Sequence, residues 1–339
     1  MKNKLLIVVL ALSLLFCSFL SALADGDKDT IGVLSLLNLS EEDYFIYKEA
    51  CINAIQYLAK QGAVEVLNPG LPDNSDPQFV FYDDLNTMLL GLNAGDIQKM
   101  EVPQSTAEYL CSVNDTLTMD LKFKNSSLEG FLLRLFDRVS ESFSFLMLEE
   151  NESLRDDFNA AITAMQEDGT MDALIREHIT DVVSNGEIKP VLPEKKDGRE
   201  TLTVAVTGSL PPMDYIAPDG SYAGFSTAVL AEIGKRLDKN IDLVTVDCVG
   251  RAAALASGAA DVAFWTRSSL GSPFPNLDDK GFEAFISENH STYTEEEIVI
   301  SEALSESLSR EKRYNRDIPE GTINTKYYYK DIPVTVSQK

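Results

Sequence analysis

Apolar residues recur along this chain in two rhythms, one of period two and one of helical period, and the rhythms alternate. Leu202-Thr203-Val204-Ala205-Val206 is β-branched and predicts a strand, while residues 226–237 place Val229, Ile233 and Leu237 on one helical face. The same reading continues as a strand over 241–246, a helix over about 250–257 and a strand over 261–265. Short strands alternating with helices predict a mainly parallel sheet. Between the first of these strands and its helix, residues 208–225 carry Pro211-Pro212 and a Pro218-Asp219-Gly220 turn. Two prolines stiffen the loop and the turn closes a small hairpin, so a rigid crest is expected at a strand's carboxyl end, where open α/β sheets hold their ligands.

The first half repeats this design. Residues 30–34 read as a strand, and Ser40-Glu41-Glu42-Asp43 as a capped, acidic helix start, the helix running to about Lys60 and stopping at Gly62. Residues 85–100 form an apolar helix ending in Leu92-Asn93-Ala94-Gly95 and followed by a strand-like run; residues 252–264 do the same with Leu255-Ala256-Ser257-Gly258. In both, glycine stands where a helix needs a left-handed C-terminal residue. This repetition predicts an α/β fold of two lobes, each a mainly parallel sheet flanked by helices. Residues 151–179 read as two amphipathic helices hinged at Asp168-Gly169-Thr170, and the charged, proline-bearing stretch 186–200 as a linker. The expected organisation is a leader over 1–24, a first lobe with terminal helices over 25–185, the linker, and a second lobe over 201–339. That second lobe carries an acidic insertion at 278–313, a tyrosine run Tyr327-Tyr328-Tyr329 split between two faces, and a closing strand over 332–336.

Charge and composition narrow the function. Residues 1–24 begin with Lys2 and Lys4, continue through an apolar run over 5–15 and end in Ala22-Leu23-Ala24, the pattern of a secretory leader. Export to the periplasm or cell envelope is therefore expected, with Phe16 before Cys17 arguing against a lipid anchor. The formal net charge is −25, and it becomes more negative when the leader lysines are removed, so nucleic acid and anionic lipid are poor partners. Cys51, Cys111 and Cys248 form no CxxC pair and are odd in number, so at most one disulfide can form; Cys51 and Cys111 share a lobe and could bridge or stay reduced. His178 and His290 are the only histidines, far apart, so a metal site or a histidine triad is not expected and both are read as solvated. No cofactor fingerprint is visible, and a monomer is expected.

The stretches "LTVAV", "PPMDY", "DGSYAGF", "TAVLAEIGKRL", "IDLVTVD" and "ALASGAADV" together resemble the first lobe of the type 2 periplasmic solute-binding proteins of polar amino-acid uptake systems. The first half, with "IGVLSLLNLSEEDY", "LNTMLLGLNAGDI", "STAEYL" and "LRDDFNAAITAMQEDGTMDALIREHI", resembles their second lobe and terminal helices, in an order that resembles a circular permutation. The resemblance implies a non-enzymatic receptor whose two lobes close over a small polar, amino-acid-like solute for an ABC-type permease. It also implies anchors that this chain lacks: Pro103 stands where an aspartate would take the solute amine, the expected arginine position falls near Pro273, and neither Leu210 nor Met213 is aromatic.

The replacements that the residues offer are Trp265 as a stacking platform, Arg267 as a relocated carboxylate fork, and Thr266 and Ser268 as hydrogen-bond donors. Ser209 and Tyr215 on the hairpin crest, and Asn38 and Ser40 at the first lobe's helix start, complete the candidate set. Each has a plainer reading: Trp265 packs, Tyr215 covers its hairpin, and Asn38 and Ser40 cap a helix. A sensor or envelope interaction module that has lost binding is the alternative function. An enzyme is disfavoured because no carboxylate sits at a strand end with a partner to tune it.

Overall fold

A computed structural model of the chain describes residues 30–37, 78–119, 141–191, 193–268, 319–331 and 333–339. In the first half the described strands are β1 (Thr30–Leu34), β2 (Gln78–Tyr82), β3 (Lys99–Pro103) and β4 (Leu117–Met119), with helices α1 (Leu85–Ala94) and α2 (Gln104–Val113). Helix α1 starts where Asp84 accepts from the Thr87 backbone N–H at 2.9 Å and ends at Gly95, whose φ of 81° is the left-handed stop expected from sequence. There follow β5 (Glu141–Leu148), α3 (Glu152–Glu167), α4 (Thr170–Ile175), a π-helical turn (Arg176–Thr180) and α5 (Asp181–Asn185).

The second half opens with β6 (Thr201–Val206) and the small antiparallel sheet β7 (Ser209–Leu210), β8 (Asp214–Ile216) and β9 (Tyr222–Ala223). It continues through α6 (Phe225–Arg236), β10 (Asn240–Thr245), α7 (Gly250–Ala256) and β11 (Val262–Ser268), and ends with β12 (Thr322–Asn324), β13 (Tyr329–Asp331) and β14 (Pro333–Gln338).

These strands form two larger sheets of matching design. One runs β2-β1-β3-β14-β4 and the other β10-β6-β11-β5-β12. In each, the lobe's second, first and third strands pair in parallel, and an antiparallel strand from the other half of the sequence is inserted before the fourth. So β5, which precedes the 186–200 segment, completes the second lobe's sheet, and β14, the end of the chain, completes the first. The two halves of the sequence are therefore not self-contained: partners in a sheet are set by buried edges in space, which periodicity along the chain does not report.

The 186–200 segment is tied along the second lobe. The Val191 N–H donates to the Tyr222 carbonyl at 2.8 Å, and Asn240 both accepts from the Lys196 N–H at 2.8 Å and donates to its carbonyl at 3.0 Å. Behind the second sheet Phe145 stacks on Tyr328 at 4.7 Å and meets Phe158 edge-on at 5.6 Å, and Phe225 packs on Tyr329 at 5.3 Å. Tyr328 is buried and its hydroxyl hydrogen-bonds Ser226 at 2.9 Å, whereas Tyr327 and Tyr329 are half-buried.

Two readings of single residues change. His178 is buried in the π-helical turn rather than solvated, and Cys111 is a half-buried thiol of α2, so it does not bridge to Cys51. His290, Cys51, the leader, the helix expected over 40–60 and the insertion at 278–313 lie outside the described residues.

Gly224 fixes the hairpin against α6. Its φ of 102° lies in a region that L side chains avoid, and an added Cβ would come within 2.5 Å of the Met213 carbonyl oxygen. Gly224→Ala is expected to cost about 3 kcal/mol in urea unfolding, from combined strain and overlap. Burial also holds the His178 imidazole neutral and lowers its pKa below 6.5, with Lys189 adding to the effect and Glu177 opposing it. A lowered folded pKa means this stabilisation is complete above the unfolded value and is lost as pH falls through it. The melting temperature should therefore drop as pH falls below the ordinary histidine value of about 6.5, and His178→Gln should flatten that slope.

Candidate functional site

Only one residue separates β13 from β14, so the chain passes directly from the second sheet to the first. The other passage, into β5, arrives beside it: Asp331 is the register partner of Glu141. The chain thus enters and leaves the second sheet at neighbouring positions, here termed the hinge. On one side of it the first lobe presents the carboxyl ends of β1 and β3; on the other the second lobe presents those of β6 and β11.

The lobes touch at these ends. The Leu36 carbonyl, just past β1, accepts from Arg251 Nη2 at 3.2 Å and from the Thr266 hydroxyl of β11. Cys248 Sγ donates to the Asp83 carbonyl at 3.5 Å, linking the loop before α7 to the start of α1.

Arg251 is the charge at this junction, and it is 1% exposed. It sits in the short α7 helix, where every other residue is Gly, Ala or Leu. Its Nε donates to the Cys248 carbonyl at 3.1 Å and its Nη1 to the Phe264 carbonyl at 3.2 Å. The guanidinium carbon lies 4.5 Å from the centre of the Trp265 ring, a cation–π distance. Burial lowers the Arg251 pKa, opposed by Cys248 and by the nearby carboxylate of Asp214.

Asp214 holds the crest beyond β6. Its Oδ2 accepts from the Thr207 N–H and hydroxyl, each at 2.8 Å, and from the Gly208 N–H at 2.9 Å. These contacts and the Arg251 charge favour the carboxylate, but burial outweighs them and raises the Asp214 pKa. Its Oδ1 has no hydrogen-bond partner, although the residue is 1% exposed. Ser209 Oγ on the same crest is also buried and unpartnered, and Ser209 pairs in register with Tyr215. Burial raises the pKa of Tyr109 on α2, and Tyr215 adds to that rise.

One turn before Tyr109 on α2 stand Ser105 and Thr106, with buried, unpartnered hydroxyls. The Ser105 N–H is capped by Asp331 of the hinge at 3.0 Å. Buried polar atoms are nearly always paired in folded proteins, so these atoms, two in each lobe, keep hydrogen-bonding capacity for water or a solute.

The residues expected from sequence are distributed unevenly. Ser209 and Tyr215 stand on the crest, opposite each other in register. Trp265 is 8% exposed, packed with Leu146, Ala205, Leu255 and Ala263 under the Arg251 guanidinium, so its ring is covered rather than offered as an open platform. Thr266 is fully buried and spends its hydroxyl on Leu36. Arg267 and Ser268 close β11, and Asn38 and Ser40 lie outside the described residues. Arg251, Asp214, Ser105 and Thr106 were not singled out. The available signal was a lone arginine in an alanine-rich helix and a charged residue directly after the apolar Pro211-Pro212-Met213.

Residues 202–268, from β6 to the end of β11, match the family model of bacterial extracellular solute-binding proteins, family 3. Comparison with curated protein sequences gives no match. Among solved structures the chain is similar to PBP AgaA from A. tumefaciens R10 in complex with agropinic acid, at 12% identity over 80% of this chain and 57% of that one, with a TM-score of 0.35. It is similar to NikA from Staphylococcus aureus in complex with Ni(L-His)2, at 14% identity over 77% and 57% of the two chains, with a TM-score of 0.34. It is also similar to the periplasmic aliphatic sulphonate binding protein SsuA from Escherichia coli, at 9% identity over 93% and 66%, with a TM-score of 0.33. The chain thus spans just over half the length of the first two. Among the described residues no helix is long and apolar enough to cross a membrane, and no group of three or more His, Cys, Asp or Glu is placed to hold a metal ion.

The crest gives a direct test. Asp214→Ala leaves three donors without their acceptor and is expected to cost about 3 kcal/mol in urea unfolding; Asp214→Asn, which keeps an acceptor and removes the buried charge, should cost about 1 kcal/mol or less.

Proposed function

We propose that the chain is an extracytoplasmic receptor that binds a small polar, amino-acid-like solute between its two lobes and delivers it to an ABC-type uptake permease, without catalysing a reaction. The observation that carries this reading is the set of buried, unpartnered polar atoms on both sides of the hinge: Ser105 Oγ and Thr106 Oγ1 on the first lobe, Ser209 Oγ and Asp214 Oδ1 on the second. Each lobe offers half of a hydrogen-bonding set, so a solute bridging them is bound only when they meet, which is how hinge closure couples to occupancy. The family match over 202–268 supports the same reading.

The roles of Arg267, Ser268, Asn38 and Ser40 as ligand contacts belong to this proposal, as does export by the leader. Pro103 and the packed Trp265 argue that the amine and carboxylate of an amino acid would meet different groups here, the amine facing Asp214 rather than the usual aspartate. The alternative, a sensor or interaction module, is favoured by one observation, the direct contact of Leu36 with Arg251 and Thr266.

A thermal-shift screen of residues 25–339 against amino acids, short peptides, organic acids, sugars and nucleosides tests the proposal. A solute at about 100 times its Kd should stabilise by about 2.7 kcal/mol. Ser105→Ala and Ser209→Ala should each weaken that solute by about 1 kcal/mol while leaving the unliganded melting temperature unchanged, since neither hydroxyl has a partner to lose. A flat screen, or a solute indifferent to both substitutions, overturns it.

A further inference from the structure

The junction is already filled. Past β1, the Leu36 carbonyl takes two donors from the second lobe, Arg251 Nη2 and the Thr266 hydroxyl, and the Leu36 side chain is fully buried. Thr266 and Arg251 approach from different elements, β11 and α7, so the Leu36 turn is gripped from two directions. A third link runs from Cys248 Sγ, in the loop before α7, to the Asp83 carbonyl at the start of α1. These contacts join strand ends, the place that a solute bridging the lobes would occupy.

We infer that the protein shuts on its own backbone, with the Leu36 turn as the resident occupant of the crevice and Arg251 as the bolt that holds it there without solute. The chemistry suits a bolt. Arg251 anchors two of its donors to second-lobe carbonyls, Cys248 and Phe264, and rests its planar face on Trp265; only Nη2 reaches across. The fork is thus pre-positioned by its own lobe, so little side-chain freedom is lost when the crossing bond forms. The acceptor is a neutral carbonyl, so the bond can be exchanged for water or for a solute oxygen without breaking an ion pair.

The inference bears on regulation of the proposed binding site and rests on that reading only for the identity of the crevice. A receptor shut at rest responds to a solute according to the solute's difference in affinity for the shut and open forms. A solute accommodated behind the intact Leu36 contact leaves the lobes as they are, and one that competes for Arg251 Nη2 opens them. Closure itself then carries no signal.

Cys248 and Cys111 provide the test. Cys248 is 8% exposed and covered by the Asp83 backbone across the junction, while Cys111 is a half-buried thiol on α2 that serves as the internal reference. The full exported chain, without solute, is labelled with N-ethylmaleimide and each cysteine is followed by peptide mass spectrometry. In the unsubstituted protein Cys248 should react more slowly than Cys111. Thr266→Val removes one donor to Leu36 while keeping the side-chain shape, and Arg251→Lys keeps the charge but cannot span three carbonyls. Each should speed Cys248 labelling by about tenfold or more with the Cys111 rate unchanged, the mark of a shifted closure equilibrium rather than a loosened fold.

Three results overturn the inference: Cys248 reacting as fast as Cys111 in the unsubstituted protein, both variants leaving Cys248 slow, or both cysteines speeding up together. Should Arg251→Lys fail to fold, Thr266→Val alone decides. The outcome separates from that of the solute screen. Protected Cys248 with a flat screen leaves a self-shut protein that is not a receptor, and reactive Cys248 with a bound solute leaves a receptor that rests open.

Discussion

Each of the two large sheets is completed by a strand that the sequence places with the other. Without β14 the first sheet would lose the strand that joins β3 to β4, and without β5 the second would lose the strand that joins β11 to β12. Sheet edges with unpaired N–H and C=O groups are costly to bury, so neither lobe is a finished unit until the chain has crossed between them. Much else depends on this exchange. It sets Asp331 beside Glu141, holds the crossing segments together as one hinge, and brings the Asp331 carboxylate to the N–H of Ser105 at the start of α2.

The crevice is a product of the same constraint. Both sheets are parallel over their first three strands, so each gathers its strand-to-helix loops at one end, and the hinge turns those ends toward each other. The crest beyond β6 is then rigid for local reasons. Asp214 ties the backbone of Thr207 and Gly208, while the carbonyls of Pro212 and Met213 accept from the first N–H groups of α6 at 2.9 and 2.8 Å. A rigid crest explains how Ser209 Oγ and Asp214 Oδ1 remain without partners, because the loop that carries them cannot relax to find any.

What was legible in the sequence was local. Gly95 and Gly258 end helices in the left-handed conformation that their repeated setting required, and β6, α6, β10, α7 and β11 fall within a few residues of their expected bounds. What was not legible depended on partners distant along the chain. Strand β5 has no counterpart among the elements expected from sequence, and nothing local says that Ser144 will lie opposite Trp265. Trp265 was read as facing the crevice because it ends a strand; with period two, its neighbours Phe264 and Thr266 take one face and Trp265 the other, against the alanines of α7. Ala254 and Leu255 of α7 pack in one cluster with Trp265, and the small residues of this helix leave the room that Arg251 and Trp265 share.

That shared room explains why a guanidinium is tolerated at 1% exposure. Burying a charge costs several kcal/mol unless its donors are met, and here three carbonyls and an aromatic face meet them, with the Asp214 carboxylate close enough to raise the Arg251 pKa against the effect of burial. Two of those carbonyls and the ring belong to the second lobe, so they are present whether or not the lobes meet. The third belongs to Leu36. The structure therefore does not need Arg251 to be held by a partner of opposite charge, and the contact that joins the lobes is the most exchangeable of those the guanidinium makes. A crevice built in this way is shut by a bond weak enough to be replaced by water or by a solute oxygen.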